Sequence, residues 1–261
     1  MAASFAPTTA EAAASDLSDD AALGQRLRLF QPRKGHRFGH DAILLAAATD
    51  AAPGQHAVDF GAGIGAAGLS LAYRVPDLRV SLVELDPALC AIARCNAQRN
   101  SLDHRVDVFC LDIKDDEGFR AANLKSAERV LMNPPFNNPV RHQSSPIAPK
   151  RLAHTGAEHT LLLWAASAAK LLGGDGVLTL IWRADGLATV RSALEGQFGN
   201  IAVQPILPKP NADPIRIVVR AVKGSRAPDQ LLPALTLANS QGKPTIIAEE
   251  ILREGHPISM I

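Results

Sequence analysis

Four consecutive residues, Asn133-Pro134-Pro135-Phe136, combine two hydrogen-bond acceptors with a flat apolar ring. That set suits one chemical problem. The nitrogen of an exocyclic amine or amide is a poor nucleophile, because its lone pair is delocalised into the adjacent π-system. It must pyramidalise before it attacks an alkyl group. Two acceptors aimed at its N–H groups favour that geometry and the positive charge developing on nitrogen. The side-chain oxygen of Asn133 is one acceptor and the carbonyl of Pro134 the other, and the proline pair stiffens the loop that aims them. Phe136 supplies a face on which a planar target can stack. Read alone, the tetrapeptide also fits a turn with a hydrophobic plug.

A second cluster lies upstream. Asp59, Gly61, Gly63 and Gly65 follow an Asp-x-Gly-x-Gly-x-Gly spacing. Glycines at a strand-to-helix turn let main-chain N–H groups approach a ligand at the carboxyl edge of a sheet. Dinucleotide sites share such turns, but the acid two residues before the first glycine would repel a pyrophosphate and suits a cationic amino group. The following strand ends in Val-Glu-Leu-Asp (83–86), so Glu84 can accept both hydroxyls of a ribose, or simply cap a solvated strand end.

The elements that must position these residues alternate. Residues 56–60, 78–85, 105–110, 129–132 and 176–182 read as strands. Helical patterns fall at 40–51, 64–74, 87–100, 156–172 and 186–198, with Pro87 in a first turn and Gly173-Gly174 as a C-cap. Such alternation predicts an α/β, doubly wound, mostly parallel sheet. Strands 200–207 and 215–222 are too close for a crossover helix, so the last strand is expected antiparallel. Residues 225–261 are expected to form an appendage on the sheet edge with one short helix. Residues 1–25, polar and acidic, are expected to be a disordered tail. Cys90 and Cys95 are both read as core positions of their helix.

On these motifs the chain resembles the class I, Rossmann-like S-adenosylmethionine methyltransferases, which implies a seven-stranded sheet and S-adenosylmethionine as cofactor. The resemblance implies that Asp59 holds the methionine amino group, Gly61 and Gly63 line the methionine and ribose, Glu84 binds the ribose, Asp112 accepts from the adenine amine, and Asn133 borders the cofactor as well as the target. Asp112 equally suits capping of the turn that follows it. The Asn-Pro-Pro-Phe motif resembles that of enzymes acting on adenine N6, guanine N2 or glutamine amide. Residues 30–47 narrow the choice: Gln31, Pro32, Gly35, Arg37, Phe38, Asp41, Leu44 and Leu45 match a segment of bacterial tRNA(Val) adenine-37 N6-methyltransferases. In that family the segment closes over the cofactor, which implies a 26–52 covering segment on a 26–224 domain, with Arg37, Phe38 and Asp41 at the methionine end. Asp41 also reads as a first-turn helix acid. Residues 150–156 resemble the same family's basic segment. Arg33, Lys34, Lys150 and Arg151 are accordingly expected to meet RNA phosphates, with tRNA as the expected partner. The chain departs in Phe136, where tyrosine is common, and after about residue 224.

Composition excludes other classes. No apolar run reaches membrane-spanning length, and no ligand spacing among the eight histidines and three cysteines suggests a metal. So few cysteines fit a reducing cytoplasm. A net charge of +1 hides two basic stretches, 26–40 and 209–226, which are either a phosphate footprint or two solvated faces. An aromatic content of 4% argues against a multi-base stacking platform. Competing expectations are a glutamine-amide protein methyltransferase, an rRNA guanine-N2 methyltransferase, and a non-catalytic scaffold. The first usually carries a separate N-terminal helical domain, for which the residues before 26 are expected to leave no room. Nothing in the sequence gives an oligomeric state.

Overall fold

The computed structural model describes residues 16–35, 37–124, 126–135 and 150–261, with side chains from 156 onward in the last stretch. Phe136 and the side chains of Lys150 and Arg151 therefore lie outside the described residues, as do residues 1–15 of the expected tail.

Seven long strands form the centre: β3 (His56–Phe60), β4 (Arg79–Glu84), β5 (Val106–Cys110), β6 (Ala127–Met132), β7 (Leu172–Arg183), β8 (Phe198–Leu207) and β9 (Arg216–Lys223). Their order is β8-β9-β7-β6-β3-β4-β5, with β9 antiparallel to both neighbours and the other pairs parallel. This is the doubly wound, mostly parallel sheet expected, with its last long strand antiparallel. Side chains alternate across it. Leu131 faces one core, while Val130 and Met132 face the other. Helices α1 (His40–Ala48), α2 (Ala66–Arg74) and α3 (Pro87–Arg99) cover the first face, and α4 (Asp116–Ala121), α5 (Lys150–Leu171) and α6 (Leu187–Leu194) the second. Pro87 does open α3, behind Asp86, whose side chain accepts from the Ala88 N–H.

Three local expectations change and a fourth, the C-terminal appendage on the sheet edge with its short helix, is extended. Residues 16–25 are not part of a disordered tail: β1 (Leu17–Ala22) and β2 (Leu27–Pro32) form an antiparallel hairpin. The acids that suggested disorder are paired, Asp19 with Arg28 and Arg99, and Asp20 with Arg37. Leu27 and Leu29 are buried, and Arg99 lies 3.8 Å over the Phe30 ring. A boundary at residue 25 would thus cut a hairpin. Gly173 and Gly174 do not cap a helix. They lie in the first part of β7, where the register with β6 slips between Ala127 and Arg129, and the left-handed residue is Asp175 at φ 57°. Cys90 is buried but Cys95 is exposed, because five residues of helix turn the side chain to the opposite side. Finally, two-residue strands β10 (Gln230–Leu231) and β11 (Leu235–Thr236) run parallel to β8 and widen the sheet. The chain then forms α7 (Ile246–Glu249) and a π turn, and crosses to the first face. There Ile251, Ile258 and Met260 join the core and Ile258 N–H donates to Ala47 O at 2.9 Å.

Candidate active site

The glycine turn leaves β3 at Phe60, whose neighbour in the sheet is Met132 of β6. Gly61 and Asn133, each one residue further along, therefore emerge side by side at the carboxyl edge. The two motifs singled out by their chemistry, separated by some seventy residues, meet there because β3 and β6 are adjacent parallel strands.

The turn is fixed by main-chain bonds. Ala62 N–H donates to Val83 O at 3.0 Å and Gly65 N–H to Ala62 O at 2.8 Å. Gly61 has φ 65° and Gly63 φ 57°, both in the left-handed region. A Cβ at Gly61 would also collide with the ring of Trp164, which projects from α5 against the turn. A Cβ at Gly63 would meet nothing within 4 Å, so that glycine borders open space. Sequence reasoning missed Trp164, since no local spacing marks a tryptophan within an apolar helix as the floor of a distant turn.

Two carboxylates flank the turn. Glu84 is half-buried. Its Oε2 accepts from Gly63 N–H at 2.8 Å, and its Oε1 accepts from Leu85 N–H at 2.8 Å and Asp86 N–H at 2.9 Å. Three main-chain donors thus orient the group against the turn, and its remaining lone pairs can accept from a diol. Asp59 is deeper, at 2% exposure, and its Oδ2 accepts from Gly68 N–H at 2.8 Å, in α2. Burial, together with the nearby Glu84 charge, pushes its carboxyl up to about 7 despite the Gly68 bond, which favours ionisation. In this structure Asp59 braces α2 from below the turn.

Asn133 is half-buried. Its side-chain Oδ1 is inaccessible to solvent and has no hydrogen-bond partner among the described residues. Buried acceptors are normally satisfied, so one left vacant at a sheet's carboxyl edge is a ready receptor for an N–H group. Pro134 beside it is buried and Pro135 exposed.

The remaining expected contacts are further out. Asp112 accepts from Lys114 N–H at 3.0 Å and pairs with Lys114 Nζ at 3.2 Å, so it caps its own turn, while Asp115 caps α4. Arg37 donates to Asp20 at 2.8 Å and to Ser18 at 2.9 Å. Phe38 packs on the first core, with its N–H on Gln31 Oε1 at 3.1 Å. Asp41 pairs with Arg216 Nε of β9 at 2.8 Å. The charged groups of Arg37 and Asp41 are both engaged within the protein, so any ligand contact must share or displace those partners. Arg33 and Lys34 are exposed in the loop after β2. Among the described residues no helix is long and apolar enough to cross a membrane, and no three His, Cys, Asp or Glu side chains are placed to hold a metal.

Residues 37–205 match the family described as the methyltransferase small domain. Among curated proteins, a tRNA1(Val) (adenine(37)-N6)-methyltransferase from Porphyromonas gingivalis is 36% identical over 163 residues, 59% of this chain and 62% of that protein. A ribosomal RNA small subunit methyltransferase C from Pseudomonas putida is 29% identical over 168 residues, 64% of this chain and 43% of the other. The chain thus spans less than two thirds of the length of these relatives. Among solved structures, a predicted O-methyltransferase from Agrobacterium tumefaciens superposes with a TM-score of 0.70 at 25% identity, over 84% of this chain and 98% of that one.

Proposed function

The chain belongs to the methyltransferase small domain family and has the Rossmann-like methyltransferase fold, and from that premise we propose that it methylates the exocyclic N6 amine of an adenine in tRNA, with S-adenosylmethionine as donor. The observation that carries the reading is the buried, unpartnered Oδ1 of Asn133 next to the glycine turn.

The residues present suit such a donor. It is a cation with an amino acid end and a nucleoside end. Two carboxylates, Asp59 and Glu84, flank a turn whose Gly63 borders open space. Glu84 would take the ribose hydroxyls, the backbone at Gly61 and Gly63 the methionine and ribose, and Asp59 the ammonium, directly or through the turn it braces. Arg37, Phe38 and Asp41 would cover the methionine end, and Asp112 would sit at the adenine. S-adenosylmethionine supplies an electrophilic methyl group on a sulfonium.

Asn133 Oδ1 and the Pro134 carbonyl accept the two N–H groups of the target nitrogen. Those bonds strengthen as the nitrogen loses its conjugation and gains charge, so they favour the transition state over the ground state. Phe136 stacks the base once it has left its own stack. No base need remove a proton before the new N–C bond forms and the methyl–sulfur bond breaks to leave a thioether, because the N–H becomes acidic as nitrogen quaternises and its proton passes to water afterwards. The solvent-inaccessible Asn133 Oδ1 holds the nitrogen in line, and proximity supplies much of the rest. Arg33, Lys34, Lys150 and Arg151 would contact phosphates.

Adenine in tRNA is favoured over guanine in rRNA because the tRNA-directed relative is the more similar of the two, at 36% against 29% identity. The test is incubation of the full chain with methyl-labelled donor and total RNA or a protein extract, followed by nucleoside and peptide mass spectrometry. N6-methyladenosine in the tRNA fraction is expected. Label in guanine N2 or in a glutamine side chain, with none in adenine, replaces the proposed substrate.

A further inference from the structure

Asn96 of α3 is fully buried, at 0% exposure, and its amide holds two parts of the candidate site at once. Oδ1 accepts from Phe30 N–H at 2.7 Å, and Nδ2 donates to Phe30 O and to Ile64 O, each at 3.0 Å. Asn100, one turn on, treats Arg28 likewise: Oδ1 accepts from its N–H and Nδ2 donates to its carbonyl, both at 2.9 Å. One edge of β2 pairs with β1. The two asparagines give its other edge the bonds a neighbouring strand would have given. Only Asn96 extends the grip to Ile64, between Gly63 and Gly65 of the turn. The next residue of β2, Gln31, is 2% exposed and takes the Phe38 N–H, so the position of β2 also sets the start of the segment carrying Phe38 and Asp41.

We infer that Asn96 is a positioning residue of the cofactor site, coupling residues 28–41 to the glycine turn so that both sides close on the ligand as one unit. This rests on the reading of that turn as an S-adenosyl site. Without the Asn96 amide, the Ile64 carbonyl loses a buried partner and the Phe30 N–H and carbonyl lose part-buried ones. The chain must then shift one side or the other to rehydrate them. The ligand-ready arrangement becomes a minor population, and apparent affinity falls by that fraction.

The test compares wild type, Asn96→Ala and Asn100→Ala as full chains, with S-adenosylhomocysteine as probe in calorimetry and thermal melting beside it. Both variants loosen β2, so both melting temperatures are expected to fall. Asn96→Ala is expected to weaken binding about tenfold, and Asn100→Ala less than about twofold, the size of one ordinary buried hydrogen-bond loss deciding the scale. Equal weakening by the two variants, or undiminished binding by Asn96→Ala, overturns the inference. A wild type that binds no S-adenosylhomocysteine overturns the site reading and the inference with it. Hydrogen exchange on the wild type needs no variant. Ligand is expected to slow exchange at residues 28–32 and 61–66 together, and slowing at 61–66 alone overturns the coupling.

Discussion

Replacing Asp59 with asparagine is expected to stabilise the folded chain in neutral and alkaline solution while changing little in acid. The carboxyl normally titrates at 3.8 and is pushed up to about 7 by burial in the fold, with the Glu84 charge as a lesser contributor. Below 3.8 it is protonated in both the folded and the unfolded chain. As pH rises from there to about 7, the unfolded chain releases its proton and the folded chain keeps it, so stability is lost progressively over that window and no further above it. A difference of about three pH units, at 1.36 kcal/mol each, makes the loss about 4 kcal/mol. Asparagine keeps an oxygen for the Gly68 N–H and carries no charge. Urea unfolding of both proteins between pH 4.5 and 8.5 isolates the group together with its coupling to Glu84, since titrations that do not interact with Asp59 cancel in the difference. The advantage of the variant is expected to grow with pH and level off above neutrality. A flat difference, or one that shrinks as pH rises, refutes the account of Asp59 as a desolvated acid. If a ligand ammonium also approaches Asp59, saturating S-adenosylhomocysteine flattens the wild-type pH dependence and the variant binds it less well.

Asn133→Ala is expected to lower kcat by about a hundredfold to a thousandfold while S-adenosylhomocysteine affinity stays within about twofold, the pattern of a lost acceptor whose bond to the target strengthens in the transition state. Gly61→Ala meets both a left-handed φ and the Trp164 ring, and is expected to cost about 2–4 kcal/mol in urea unfolding. A variant as stable as wild type would refute both the backbone and the Trp164 contributions. Neutralising Arg33 and Lys34 together is expected to make the slope of log affinity for bulk tRNA against log salt shallower by about 1–2, with little effect on cofactor binding. An unchanged slope removes these two from the phosphate contacts.

Most of the sheet was legible because its signals are local. Short apolar runs broken by glycine, proline or acids set the strands, and the absence of room for a helix between β8 and β9 set the one reversal. The adjacency of β3 and β6, and with it the meeting of Asn133 with the glycine turn, follows from strand order once the doubly wound class is recognised. What escaped was non-local. Residues 16–25 look unstructured until Asp19 and Asp20 find Arg28, Arg99 and Arg37, the furthest of them eighty residues away. The ion pair of Asp41 with Arg216 spans 175 positions and leaves no trace in either neighbourhood. Asn96 and Asn100 read as ordinary helix polarity, because their partners are backbone groups, which every sequence offers alike. Gly173-Gly174 misled for a different reason. A glycine pair after a helical run signals a stop, but the stop here is a bulged strand in which an aspartate takes the left-handed turn.

The crossing of the C-terminal segment onto the first face has a consequence for synthesis. Arg26 of the hairpin donates to the Arg253 carbonyl, 227 positions away, and Ile258 reaches back to Ala47. Strands β3 to β6 can begin to pair while the chain is still emerging from the ribosome. The hairpin and α1, although they precede those strands, cannot gain these anchors until residues 253 and 258 have been translated. A nascent chain halted before residue 250 would therefore display the glycine turn and Asn133-Pro134 with the hairpin and α1 only partly secured, and the hairpin would be the place where proteases find it.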